Sequence, residues 1–270
     1  MTALMLTARI GDHTHTLAEI QRWEAHRALR VLARLRRRLG HRAVVELLPD
    51  VDGVALTGAD LTSQRAAIRA IKTGLGHAGI YALLQRDIAI TERAARLAVT
   101  ASRGKTAHST THLTAPGYSA NAFVQWFDNL TAENNEAAMV EASPDHYLLR
   151  GLPDGRQEVV ETTGGSPLAT RFIVDYDHPD PGTVPADPRY PHQIVGRAVL
   201  DDGHIVGGVR HQFRNEGDTL HAHLTVEFPA TFPQSIINAH RWHLASEFSN
   251  WITASAHPDR YDSQEKAPGR

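Results

Sequence analysis

Apolar residues recur at helical spacing over residues 16–39, where Leu17, Ile20, Trp23, Leu29, Leu32 and Leu35 share a side and Gly40 marks the stop. This pattern predicts an amphipathic helix, with the basic run Arg34–Arg38 as its solvated face. HRAVVELLPD (41–50) reads as a short helix ended by Pro49, and DVDG (50–53) as a turn. Helical periodicity resumes over 59–76 and again over 79–99. Gly74, Gly76 and Gly79 spell GxGxxG, but a helical pattern rather than a strand precedes them, so they read as a junction between helices and not as a dinucleotide site.

The polar stretch 100–117, TASRGKTAHSTTHLTAPG, reads as a linker, and beyond it the period shortens toward that of strands. QEVVETTGG and ATRFIVDY predict a strand pair. A Pro-rich loop follows, and residues 192–229 predict three strands split at DDG and NEGD. Residues 231–256 then run as one long helix. The expected fold is α+β: a helical region over 1–105, a second region over 106–256, and a tail over 257–270. A long helix after a curved antiparallel meander predicts a helix-grip arrangement, with the sheet wrapping that helix around a cavity.

Composition narrows the chemistry. The chain has no cysteine, so any metal rests on His, Asp and Glu, and neither a disulfide nor a thiolate nucleophile is available. A net charge of −2 gives no general attraction to nucleic acid or anionic membrane. No apolar run reaches the length of a membrane span, and the first residues lack the pattern of a secretory signal. The expected setting is cytoplasmic and the expected partner a small molecule.

Seventeen histidines concentrate attention on the last helix. His240, His243, Glu247 and Trp251 lie at i, i+3, i+7 and i+11, bordering an apolar stripe of Ile236, Leu244, Phe248 and Ile252. His243 and Glu247, four apart, can reach one point and hold half of a metal site. Glu161 on a strand offers a carboxylate, and His211 lies on another strand. Such a mixed nitrogen and oxygen set suits zinc, manganese or iron. His221 and His223 alternate with Ala222 and Leu224, which places them on a solvated or cavity-rim face.

Several pieces in order resemble the diacetylphloroglucinol hydrolase family, which includes the phloretin hydrolases. HLASEF resembles the family's H-x-x-x-E-F helix, and EVVETTGG its strand ending in E-Y-I-G. HQFRNEGDTLHAHLTVEF is similar to its H-x-x-R, turn and strand. APGYSANAFVQWFDNLTAEN resembles its tyrosine loop and W-W-F-x-W-H helix, and SPDHY its P-x-x-H. The resemblance implies a Bet v 1-like helix-grip domain, an N-terminal helical region that makes a homodimer, and a divalent metal, usually Zn2+, with Mn2+ or Fe2+ as other candidates. It also implies hydrolysis of the carbon–carbon bond between an acyl group and a phenolic ring, so the substrate is a phenolic ketone. Glu161, His243 and Glu247 become the metal ligands, His211 the active-site histidine, Tyr118 a partner for a ring hydroxyl, and Glu133 a base or substitute ligand. One position departs: Leu130 stands where the family has its first metal-binding histidine. Either waters complete the set, or Glu133, His146 or His240 fills the place, or the metal is gone. The alternative reading keeps the fold and drops the metal, as a binding or cyclase-like protein for aromatic polyketides.

Overall fold

The computed structural model describes residues 5–48, 60–177 and 184–257. The DVDG turn, residues 178–183 of the Pro-rich loop and the tail beyond residue 257 lie outside the described residues. Among the described residues the fold is α+β, built on an unclosed antiparallel sheet of nine strands. They are β1 (Thr7–Ile10), β2 (His13–Thr16), β3 (Thr106–Pro116), β4 (His146–Gly151), β5 (Gln157–Glu161), β6 (Thr170–Asp175), β7 (His192–Val199), β8 (Ile205–Glu216) and β9 (Thr219–Pro229). Their order across the sheet is β2-β1-β3-β9-β8-β7-β6-β5-β4. The helices are α1 (Leu17–Leu39), α2 (His41–Leu47), α3 (Leu61–Ser102), α4 (Ala120–Ala132), α5 (Glu136–Glu141) and α6 (Gln234–Ser255).

Local chemistry sets the ends of α1. Thr16 and Glu19 form a capping box, and Gly40 takes φ 83° at the far end. The expected junction near Gly76 is a kink inside the long α3, where Gly76 adopts φ 58°, a value side chains rarely tolerate. The basic run of α1 is not only a solvated face. Arg34 donates to the carbonyls of Ser166 and Pro167, and Arg38 pairs with buried Asp87 at 2.7 Å.

The expected linker over 100–117 is instead largely a strand. In β3, Ser109, Thr111, Leu113 and Ala115 point inward and are buried, while His108, Thr110, His112 and Thr114 occupy the other face. The inward hydroxyls are satisfied by the last helix: Thr111 Oγ1 donates to Arg241 O at 2.8 Å, and Ser109 Oγ lies 3.2 Å from His240 Nδ1. β-branched threonines that look like linker polarity therefore serve a sheet packed against α6. The hairpin β1–β2, also unanticipated, extends this sheet by pairing β1 with β3.

Two cores pack against the sheet. One, containing Phe123, Phe213, Leu244 and Phe248, fills the space between the sheet, α4 and α6. The other joins α1, α2 and α3 to Tyr147, Leu148 and Val160 of β4 and β5. With a core on each face, every residue of β5 is buried, which is why QEVVE shows no clean alternation.

Candidate functional site

Helix α6 is buried through seven consecutive residues, His243–Ser249. Its polar stripe faces inward: His240, His243 and Glu247 all border a cavity between α6 and the sheet. Opposite them, β5 delivers Glu161 and the start of β4 delivers His146, both buried.

The four residues meet closely. His146 Nε2 lies 3.2 Å from His243 Nε2, 3.1 Å from Glu247 Oε2 and 3.7 Å from Glu161 Oε2. His243 Nε2 lies 3.3 Å from Glu247 Oε2 and 3.8 Å from Glu161 Oε2. Ligand bonds of about 2.0–2.2 Å give a tetrahedral edge of about 3.3–3.6 Å, so these separations suit a common cation. Leu130 is a packed core residue of α4 and offers no donor, whereas His146 stands beside His243, Glu247 and Glu161.

Tautomers sharpen the fit. His146 Nδ1–H donates to Met139 O at 3.2 Å, which leaves the Nε2 lone pair facing His243. Two nitrogens this close, flanked by two carboxylates, require a proton or a cation between them. Desolvation opposes charge on His243, but the charge and hydrogen bond of Glu247, with Glu161 and Asp145 behind, outweigh it and push its pKa up to about 9. Burial likewise disfavours ionised Glu247, yet His243 and His146 hold it well below the usual carboxylate range. The donor set fits a divalent ion of the zinc, manganese or iron class.

Behind the donors the segment Pro144–His146 is fastened from the helical region. Arg27 of α1 grips fully buried Asp145 through Nε at 3.0 Å and Nη2 at 2.6 Å. Buried Lys72 of α3 donates to the carbonyls of Pro144 and His146. Desolvation lowers the Lys72 pKa to about 7, with Asp145 acting the other way. The turn after Glu161 needs its glycines: a Cβ on Gly165 would meet the Arg27 guanidinium at 2.6 Å, and one on Gly164 would meet Ile236 O at 2.5 Å.

The cavity encloses about 160 Å³. Its walls are largely apolar, with Val159, Phe172, Val174 and Ile194 from the sheet and Phe248 and Trp251 from α6. His211 lines it, with Nδ1 buried and without a hydrogen-bond partner. Desolvation lowers the His211 pKa to about 4, so the ring is neutral near pH 7. Tyr176, which donates to Gln157 at 2.8 Å, also lines the cavity and escaped sequence reasoning, since its strand ends without a motif.

Two expected residues are not brought here. Glu133 caps the end of α4, exposed, because the helix stops at Ala132. Tyr118 packs half-buried against the core in the loop after β3, and neither residue lines the cavity. His221 and His223 take the outer face of β9, opposite inward Ala222 and Leu224.

No family model and no curated protein matches the chain. Among solved structures it is similar to the crystal structure of protein Ms6760 from Mycobacterium smegmatis, at 13% identity and a TM-score of 0.31 over 58% of this chain and 93% of that one. That likeness is too slight to bear on the site.

Proposed function

We propose that this protein is a metal-dependent hydrolase that cleaves the carbon–carbon bond between an acyl group and a polyphenolic ring, as a divergent relative of the diacetylphloroglucinol hydrolases. The observation that carries this reading is the convergence of His146, Glu161, His243 and Glu247 on a largely apolar cavity. The Bet v 1-like helix-grip reading belongs to the same proposal. It is supported by the run β3-β9-β8-β7-β6-β5-β4, in which β3 pairs with β9, the strand latest in the chain, and by α6 lying between the cavity and α1. A homodimer through the helical region is its remaining part.

His146, Glu161, His243 and Glu247 would hold the ion, which when bound supplies positive charge to polarise a carbonyl and acidify a water. Neutral His211 accepts a proton from the attacking water as its oxygen bonds to the acyl carbon. With the ring in its keto tautomer, whose acyl-bearing carbon has taken the proton of a ring hydroxyl, the acyl–aryl bond then breaks and its electron pair passes into the ring as an enolate. His211 returns its proton to the enolate oxygen, giving a carboxylic acid and the deacylated phenol. The cavity, about 160 Å³, matches the roughly 150 Å³ known to accommodate a benzene ring, and its largely apolar walls suit the face of an aromatic ring.

Elemental analysis of protein purified without chelator, paired with acetate release from an acylated phloroglucinol, tests the proposal. One divalent ion per chain and activity lost together with metal in Glu247→Ala is the expected result. A metal-free protein that hydrolyses the substrate overturns the scheme. A metal-free protein that only binds it, equally well in Glu247→Ala, returns the reading to an aromatic polyketide carrier.

A further inference from the structure

We propose that Asp145 is a positioning residue for His243, fixing which imidazole nitrogen faces the cation; the inference rests on the metal reading above. His243 Nδ1 is buried and has no hydrogen-bond partner. The nearest carboxylate oxygen facing it is Asp145 Oδ2, at 4.0 Å. That gap is roughly 1 Å beyond ordinary N–H···O range, and a buried N–H left without an acceptor is costly. When Nε2 gives its lone pair to an ion, Nδ1 carries the proton, and Asp145 is the acceptor in place to take it.

The surroundings hold Asp145 for this role. Its side chain is fully buried, and Arg27 binds both of its oxygens. Thr162 Oγ1 donates to Oδ1, and the Thr162 amide donates to the Asp145 carbonyl at 3.0 Å. Burial disfavours the ionised form, yet Arg27, His243 and Thr162 keep the Asp145 pKa below its ordinary value. Oδ1 is thus committed to Thr162 and Arg27, while Oδ2 carries the one Arg27 bond and faces His243. Consecutive residues then serve the two histidines differently: His146 is itself a donor, and Asp145 orients the other. Arg27 belongs to α1, so the helical region reaches Asp145 itself through an ion pair.

The test is zinc affinity measured by competition with a chromophoric chelator on chelator-stripped full-length protein, wild type against Asp145→Asn. Asp145→Asn is expected to bind zinc 10- to 100-fold more weakly, with unchanged far-UV circular dichroism. Wild type that takes up no zinc removes the metal reading and this inference with it. Equal zinc affinity in the two proteins leaves the metal reading standing and overturns the role of Asp145. Should Asp145→Asn fail to fold, long-range 1H–15N spectra of zinc-loaded wild type decide the matter. A His243 ring protonated at Nδ1, with a low-field proton, is expected; a ring protonated at Nε2 overturns the proposal.

Discussion

Neutral His211, buried without a partner for Nδ1, sits in the cavity wall but outside the two close groups that share His243, namely His146, His243 and Glu247, and Glu161, His240 and His243. Replacing it separates proton transfer from metal binding. His211→Asn is expected to keep a full complement of metal and lose about 10²–10⁴-fold in kcat/KM, measured by acetate release beside elemental analysis; loss of metal would move His211 into the ligand set. A second prediction concerns the outer face of the sheet, where His112 stacks on His223 with ring centroids 4.4 Å apart. Desolvation, then His223 and Arg9, lower the His112 pKa to about 4, and His221 shares the same cleft. Between the ordinary value near 6.5 and about 4 the unfolded chain binds a proton that the folded chain refuses, so stability falls as pH drops through that window. Urea unfolding at pH 7 and pH 5 should show a smaller loss in His112→Gln than in wild type; identical losses would count against this cause. At this scale the sequence was partly legible. His243 and Glu247 announce themselves by their spacing of four, and Glu161 by its strand. Asp145 and Arg27 do not, because their ion pair joins positions 118 residues apart.

Among the elements, α6 and the turn after β5 depend on each other. Gly164 has φ 56°, and a Cβ there would also press on His240 N at 3.0 Å. Gly164→Ala should therefore cost at least ~1–3 kcal/mol from backbone strain and displace α6 from Glu161. The expected outcome is a lower urea midpoint together with weaker zinc binding. A stable variant with native metal affinity would show that the helix does not need this close approach. Helices with one dry side and strands with regular alternation were readable from periodicity, as α1 and the first half of β9 were. β3 was not, because its inward positions include Ser109 and Thr111, whose hydroxyls bond to α6 rather than to water. β1 and β2 have only four residues each, and HTHT offers no apolar face to read.

For the whole molecule, the division near residue 105 expected from composition meets a sheet that serves both halves. Tyr147, Leu148 and Val160 pack against α1, α2 and α3, while Leu149 and Val159 on the same strands face the other core. A polar contact crosses the same boundary: Arg65 of α3, which grips buried Glu24 of α1 through two bonds of 2.6 Å, reaches Asn250 of α6 at 2.8 Å. A fragment spanning 106–257 would expose the helix-facing side of β4 and β5, with Tyr147, Leu148 and Val160, and take Arg27 away from Asp145. That loss falls on a margin of about 5–15 kcal/mol typical of a folded domain. The full chain should accordingly unfold in one transition, with tryptophan fluorescence, reporting on Trp23 in α1 and Trp251 in α6, superimposing on far-UV circular dichroism. The fragment should lack that transition and bind no zinc. An independently folded fragment with full zinc affinity would mean that the helices merely cover the site, and that the hold on Asp145 comes from Thr162 and the strand ends alone.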